Sequence, residues 1–286
     1  MFVFNTPHWV DLHRFSYRKF DEIPTAVFSS INSRLDKIKS IDPQVSIVIA
    51  AWNEEINILN CVSSLSCMES SIPFEIIVVN NNSSDATQRT IDNLHVKCLF
   101  QPIPGCGPAR QMGQEHAKGK YILLADADCI YPACWVDAMV GKLEQQGVVC
   151  VYGRYSFIEE LNYPRWKLFV LEKMKDIIAE FRHYKRPYLN AYGISMGYIK
   201  EFGLKVGFVG YKIWGDDGRL CFDLMEYGQV KQVKRDSARL WTAPRTLQRD
   251  GSLAKAILAR IKIEMRRFSS LFTAHPPHDT KISKNA

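Results

Sequence analysis

Between residues 45 and 152 the chain alternates two hydrophobic patterns. Short apolar, β-branched runs at 45–51, 75–79, 96–100, 120–125 and 148–151 have the length of buried strands. Between them lie stretches with helical spacing: 54–65, where Ile58, Val62 and Leu65 share a face, then 85–94, 109–117 and 134–145. Ser83 or Ser84 is the expected N-cap of the second of these helices. Strands alternating with helices predict βαβ units, hence an α/β fold with a mostly parallel central sheet flanked by helices. Ligands of such sheets bind outside the carboxyl ends of the strands. Three polar clusters fall there: Trp52-Asn53-Glu54-Glu55, the run 80–85, and Asp126-Ala127-Asp128.

The flanks read differently. Residues 1–44 are aromatic and mixed in charge, with Trp9, Phe15, Tyr17 and Phe20, and are expected to pack as an N-terminal extension on a domain spanning 45–250. That domain divides into halves at 45–152 and 153–250. Residues 164–184 have a helical pattern with Trp166, Phe169, Val170, Met174 and Ile177 on one side. In 251–286, Leu253, Ile257, Ile261, Met265, Phe268 and Phe272 form one helical stripe, with Lys255, Lys262 and Arg266 opposite, before a loose tail. Such a basic amphipathic helix either packs on the domain or lies peripherally on an anionic membrane.

Composition narrows the class. With 47% apolar and 23% charged residues, disorder, collagen and coiled coil are excluded. No apolar run approaches the ~20 residues of a membrane helix, and the first residues lack the basic-then-apolar order of a signal peptide. A cytoplasmic address is expected, at most peripheral on the inner face of the cell membrane. Of the net charge of +7, residues 245–286 carry +6 and 1–44 carry +1, leaving the body neutral. That pattern suggests an anionic partner at the C-terminal end and no nucleic acid. The eight cysteines include no C-x-x-C pair, so they read as reduced structural thiols; Cys98 and Cys150, among apolar neighbours, are expected to be buried.

Asp126 and Asp128 follow a strand-like run, and residues i and i+2 of an extended chain point to one side. Two carboxylates facing one place without a neighbouring Lys or Arg suit a hard divalent cation, Mg²⁺ or Mn²⁺. The competing reading is a pair of turn or cap residues before Pro132.

The ordered set VSIVIAAWNEE (45–55), IVVNNNSSDAT (77–87), Gly107-Pro-Ala-Arg110, Gly113, Ala117-Lys-Gly119 and YILLADAD (121–128) resembles the family 2 glycosyltransferases. Residues 193–199, Trp214-Gly-Asp-Asp217 and Trp241-Thr-Ala-Pro-Arg245 continue the resemblance, which covers about residues 45–250. It implies a GT-A nucleotide-diphospho-sugar transferase fold. It also implies an inverting, metal-dependent enzyme that moves a sugar from a nucleotide-diphosphate donor to an acceptor hydroxyl, in surface polysaccharide or glycolipid synthesis. The acceptor would be a saccharide or a lipid-linked saccharide.

The resemblance also implies roles. Ala50, Trp52, Glu54, Asn81, Arg110, Asp126 and Arg245 would bind the donor, with Trp52 against the base and Glu54 at the pocket rim. Asp128 would hold the metal, with Asp126 on metal or ribose. Asp217 would be the general base, supported by Asp216. The family commonly has Asp-Asp where Asn80 and Asn81 stand; an Asn carbonyl can still accept from a base N–H but brings no charge. Thr242, Arg245 and Arg249 fit a late motif where Arg could hold diphosphate. Two rivals were weighed against this: a sugar-1-phosphate nucleotidyltransferase, which would carry a Gly-rich, Arg-containing loop after its first strand, and a non-catalytic basic module binding membrane or saccharide.

Overall fold

The computed structural model describes residues 5–210, 215–245, 247 and 262. Trp214, Arg249 and the apolar stripe expected from Leu253 to Phe272 lie outside them. Helices α1 (His8–Asp11) and α2 (Thr25–Ile38) precede the sheet. Next come β1 (Val45–Ala51), α3 (Asn57–Leu65), β2 (Phe74–Asn80), α4 (Thr87–Asp92), β3 (Lys97–Phe100), α5 (Cys106–His116) and β4 (Tyr121–Asp126). They are followed by β5 (Cys129–Ile130), α6 (Trp135–Leu143), β6 (Val148–Tyr152), β7 (Tyr155–Phe157) and α7 (Arg165–Lys185). The chain continues through β8 (Met196–Ile199), α8 (Lys200–Val206), α9 (Asp216–Leu224), β9 (Gln229–Gln232) and β10 (Leu240–Thr242).

Seven strands form the central sheet in the order β3-β2-β1-β4-β8-β6-β9. All neighbours run parallel except β8, which is antiparallel to β4 and β6. The chain winds outward from β1 to β3, then returns through α5 to lay β4 on the other side of β1. The winding therefore reverses between β1 and β4, which opens a crevice at their carboxyl ends. Register places Ala50 beside Asp126 at that point.

Period-two alternation divides the strand side chains between two cores. Ile47, Ile49, Val78 and Leu123 meet α2, α3 and α6 through Ile31, Leu59, Val62 and Trp135. Val48, Ile77, Val79, Ile122 and Leu124 face the other way, toward Ala109 of α5 and Leu220 of α9. Helix α5 lies so close to β1 that a Cβ on Gly113 would stand 2.2 Å from Val48 Cγ1, which only glycine avoids. Phe28, Ile31 and Leu35 of α2 belong to the same core as β1, so the segment before the sheet is continuous with it.

Local differences from the sequence reading have physical causes. Helix α4 starts at Thr87, not 85, and neither Ser83 nor Ser84 caps it; Asp85 Oδ1 accepts the Thr87 N–H at 3.0 Å. Strand β3 is the sheet edge, so Cys98 and Phe100 are exposed where a buried run was expected. Helix α7 is inverted: its apolar side carries Trp166, Val170 and Ile177 outward, while Arg165, Glu172 and Asp176 are buried with Leu168 and Leu171. A small sheet in the order β5-β10-β7 closes the crevice on the acidic side. Among the described residues no helix is long and apolar enough to cross a membrane.

Candidate active site

Three chain segments deliver carboxylates to the mouth of the crevice. Strand β4 ends on Asp126, the following turn carries Asp128, and α9 begins with Asp216 and Asp217. Gly215 turns the chain into α9 with φ +84°, a left-handed conformation that glycine adopts freely. Asp216 and Asp217 open a helix, not the extended segment that the sequence suggested. Their side chains still diverge, because successive residues on a helix lie about 100° apart.

Arg110 of α5 is the hub. Its guanidinium is buried and bridges two acids: Nη2 donates to Asp126 Oδ1 at 3.0 Å, and Nη1 forms a short hydrogen bond with Asp217 Oδ1. Against the lowering effect of burial, Asp217 and Asp126 raise its pKa, so it stays a cation. Gly193 presses on the guanidinium, where a Cβ would stand 1.9 Å from Nη2, and the Gly193 N–H donates to Asp217 Oδ2 at 2.9 Å. Asp217 is thus fixed through both oxygens. Asp216 faces away: Oδ1 meets Arg219 and the Val209 N–H, while the buried Oδ2 has no hydrogen-bond partner and abuts Gly107. Burial raises the Asp216 pKa.

The expected metal pair sits on the other side of Arg110. Burial, and then the neighbouring Asp128 and Asp217 charges, push Asp126 up to about 6 in spite of Arg110. That is the signature of negative charge gathered faster than cations neutralise it. Tyr131, which the sequence did not single out, ties this edge down: its hydroxyl accepts the Asp126 N–H and donates to the Ile194 carbonyl, each at 2.9 Å. The signal available was an aromatic with a polar tip three residues past the acidic pair, which is too common to read alone. Below the pair, burial and then Asp128 and Asp126 hold Cys61 and Cys129 well above the usual thiol range, so they face it as thiols.

Arg245 reaches the same place from beyond β10. Its guanidinium grips Glu54 with two hydrogen bonds of 2.9 and 3.0 Å, and Nε lies 3.8 Å from Asp128 Oδ2. Thr242 Oγ1 stands 3.5 Å from the Asp128 carbonyl. Trp52, at the end of β1, is 59% exposed and presents a ring face at the crevice rim. Ala50 lies half-buried at the floor. Asn81 departs from expectation. Its Oδ1 accepts the Gly105 N–H at 2.7 Å and its Nδ2 donates to the Gln101 and Ile103 carbonyls, so the side chain holds the loop before α5 and its carbonyl is already taken. The structure therefore brings Glu54, Arg110, Asp126, Asp128, Asp217 and Arg245 into one cluster, with Trp52 at its rim and Asn81 behind a loop.

Comparison with known proteins agrees with this arrangement. The model for "Glycosyl transferase family 2" matches residues 46–203, more than half of the chain. The glycosyltransferase AglE of Haloferax volcanii is 28% identical over 153 residues, covering 48% of this chain and 49% of that protein. An Escherichia coli protein, UDP-Glc:alpha-D-GlcNAc-diphosphoundecaprenol beta-1,3-glucosyltransferase WfgD, is 26% identical over 121 residues, 41% of this chain and 47% of its own. The chain thus spans about half the length of these curated relatives. Among solved structures, the mannosyltransferase PcManGT of Pyrobaculum calidifontis, in complex with GDP-Man and Mn²⁺, superposes with a TM-score of 0.53 at 16% identity, over 83% of this chain and 71% of that one. The fold is of the GT-A type, and the chain belongs to glycosyl transferase family 2.

Proposed function

We propose that this glycosyltransferase moves one sugar from a nucleotide-diphosphate donor to an acceptor hydroxyl with inversion at the anomeric carbon. The observation that carries the reading is the split of the acidic cluster by Arg110: Asp126 and Asp128 on one side, the single carboxylate of Asp217 on the other. A pair of hard oxygen ligands beside one lone base is what a single displacement needs.

The residues fit a divalent cation. Among the described residues no group of three His, Cys, Asp or Glu side chains forms a complete cage, and an ion shared with a diphosphate needs only one or two carboxylates. The charge excess that pushes Asp126 up would be relieved by such an ion. Asp128, with Asp126, would hold Mg²⁺ or Mn²⁺, and when bound the ion neutralises charge developing on the departing nucleoside diphosphate.

The chain's own residues supply the rest. Trp52 offers a stacking face for the base. Arg245, paired with Glu54 beside Asp128, lies where a diphosphate would find a cation, and Glu54 keeps its fork oriented. Arg110 holds Asp217 ionised, so that the acceptor hydroxyl can pass its proton to the carboxylate while the Gly193 N–H keeps Oδ2 in place. The acceptor class is a saccharide hydroxyl, free or lipid-linked; WfgD, by its name, acts on a diphosphoundecaprenol-linked sugar.

The test joins binding to turnover. Melting curves with UDP-, GDP- and dTDP-sugars, with and without Mn²⁺, should rise for one donor in the presence of metal. Transfer from that donor should yield the opposite anomer. Asp128→Asn should remove the metal-dependent rise, and a retained anomer would refute inversion.

A further inference from the structure

The outer face of α7 has no role in the proposed chemistry, and its construction is unusual. Over twenty-one residues its three acids turn toward the protein or its flank, each in an ion pair: Glu172 with Arg165, Asp176 with Arg239, Glu180 with Arg154 and Lys234. What faces outward is apolar. Trp166, Val170, Ile177, Phe181 and Tyr184 are 59, 49, 59, 71 and 83% exposed, and their spacing of 4, 7, 4 and 3 keeps them in one stripe along the helix. Single exposed apolar residues are ordinary, but a contiguous stripe marks an interaction surface.

Beside the C-terminal half of the stripe lies a cavity of about 520 Å³, lined by the cations Lys142, His183, Lys231, Lys234 and Arg235 against one acid, Asp137. Asp137 is engaged by the Ser70 hydroxyl, and Lys234 by Glu180. His183 sits on α7 between Phe181 and Tyr184, so cavity and stripe share one edge of one helix. Burial and the charges of Lys234 and Lys231 lower the His183 pKa, a sign of positive potential there.

The geometry points to an anionic lipid bilayer as the partner of this face: the stripe enters the headgroup boundary and the basic cavity takes lipid phosphate. Trp, Tyr and Phe with flanking cations are the residues that favour such an interface. Exposed Lys167 and Lys185 at the two ends of the helix extend the same charge. A second copy of the chain would set positive against positive. Residues 253–272 carry the same sign on their polar side in sequence and so add to the surface without neutralising it. The inference does not rest on the donor chemistry. It does place the acceptor side well, since Gly193, which holds Asp217, follows the end of α7 by eight residues.

The experiment is co-sedimentation of the full chain with vesicles of phosphatidylcholine alone and of phosphatidylcholine with phosphatidylglycerol, at low and high salt. The native chain is expected to bind the anionic vesicles, and salt to weaken the binding. Ile177→Ser with Phe181→Ser should lower the partition by about tenfold or more, with melting unchanged because both side chains are exposed. Lys231→Gln with Arg235→Gln should lower it about fivefold per charge removed. No binding by the native chain, or equal binding by the Ile177/Phe181 variant, would overturn the proposal. So would loss of binding on Ile257→Ser with Ile261→Ser alone, which would assign the contact to 253–272. A native dimer that the Ile177/Phe181 change dissociates, with vesicle binding intact, would assign the face to a second copy.

Discussion

Two clusters of buried charge lie in this molecule, and they are built for different ends. Beneath α7, Arg165 grips Glu172 with two hydrogen bonds of 3.0 and 2.7 Å, and the same carboxylate accepts the Phe157 N–H and the Ser156 hydroxyl. Arg239 pairs with Asp176, and Lys175 donates to the Tyr155 carbonyl, with burial pushing it down to about 7. Cations match or exceed acids there, and Glu172 and Arg165 are only 3 and 4% exposed. Around Arg110 the balance reverses: Asp126, Asp128, Asp217 and Glu54 outnumber Arg110 and Arg245, and the cluster opens on the crevice at the reversal of strand order. Buried ion pairs alone therefore do not mark a site. A deficit of one sign at an open strand end does, because it leaves room for a ligand of the other sign.

The largest effect that would break this contrast is at the proposed base. Asp217→Asn should cut turnover by about 10²–10⁴-fold, the range for general-base catalysis, with donor affinity and melting temperature nearly unchanged. Loss of donor binding instead would move Asp217 to the donor side. In the cluster beneath α7 the pattern should invert. Glu172→Gln removes one partner of a buried pair and should destabilise by about 3–5 kcal/mol, leaving turnover per folded molecule intact; equilibrium unfolding in urea reads this directly.

A buried group without a counter-charge sharpens the contrast further. His13 joins the N-terminal segment to α3 through Ser63 Oγ at 2.9 Å, and burial, aided by Arg34, pushes it down to about 4. The unfolded chain then takes up this proton first. The His13 contribution should be fully present above pH 6.5 and decline by about 3 kcal/mol as pH falls toward 4. A His13→Gln chain should lack that slope in its denaturant-unfolding profile. The smallest change in stability is expected for Arg245→Gln. Its pair with Glu54 is 38% exposed on the arginine side and should be worth at most about 1 kcal/mol, while the donor KM rises and kcat changes less.

Much of this was legible in the sequence. The β-branched runs and their period-two alternation predicted β1, β2 and β4, and the polar clusters after them mark the crevice. The short strands β8, β9 and β10 were not legible, because three or four residues with a glycine such as Gly197 carry no period. The face of α7 was misleading: a helical apolar stripe is the usual sign of a core, and nothing in the spacing tells that paired charges face inward. The bridging position of Arg110 between Asp126 and Asp217 joins residues 107 apart in sequence, a separation that only tertiary structure closes. Asn81 was read by its chemistry as a base acceptor, and a neighbouring loop had the first claim on that oxygen.

The most direct measurement is the anomalous scattering of manganese in crystals soaked with Mn²⁺ and the nucleoside diphosphate that raises the melting point. A peak within coordination distance of the Asp128 carboxylate, lost in Asp128→Asn crystals that still bind nucleotide, is the result expected. Nucleotide density in the crevice with no manganese beside Asp126 or Asp128 would contradict the account.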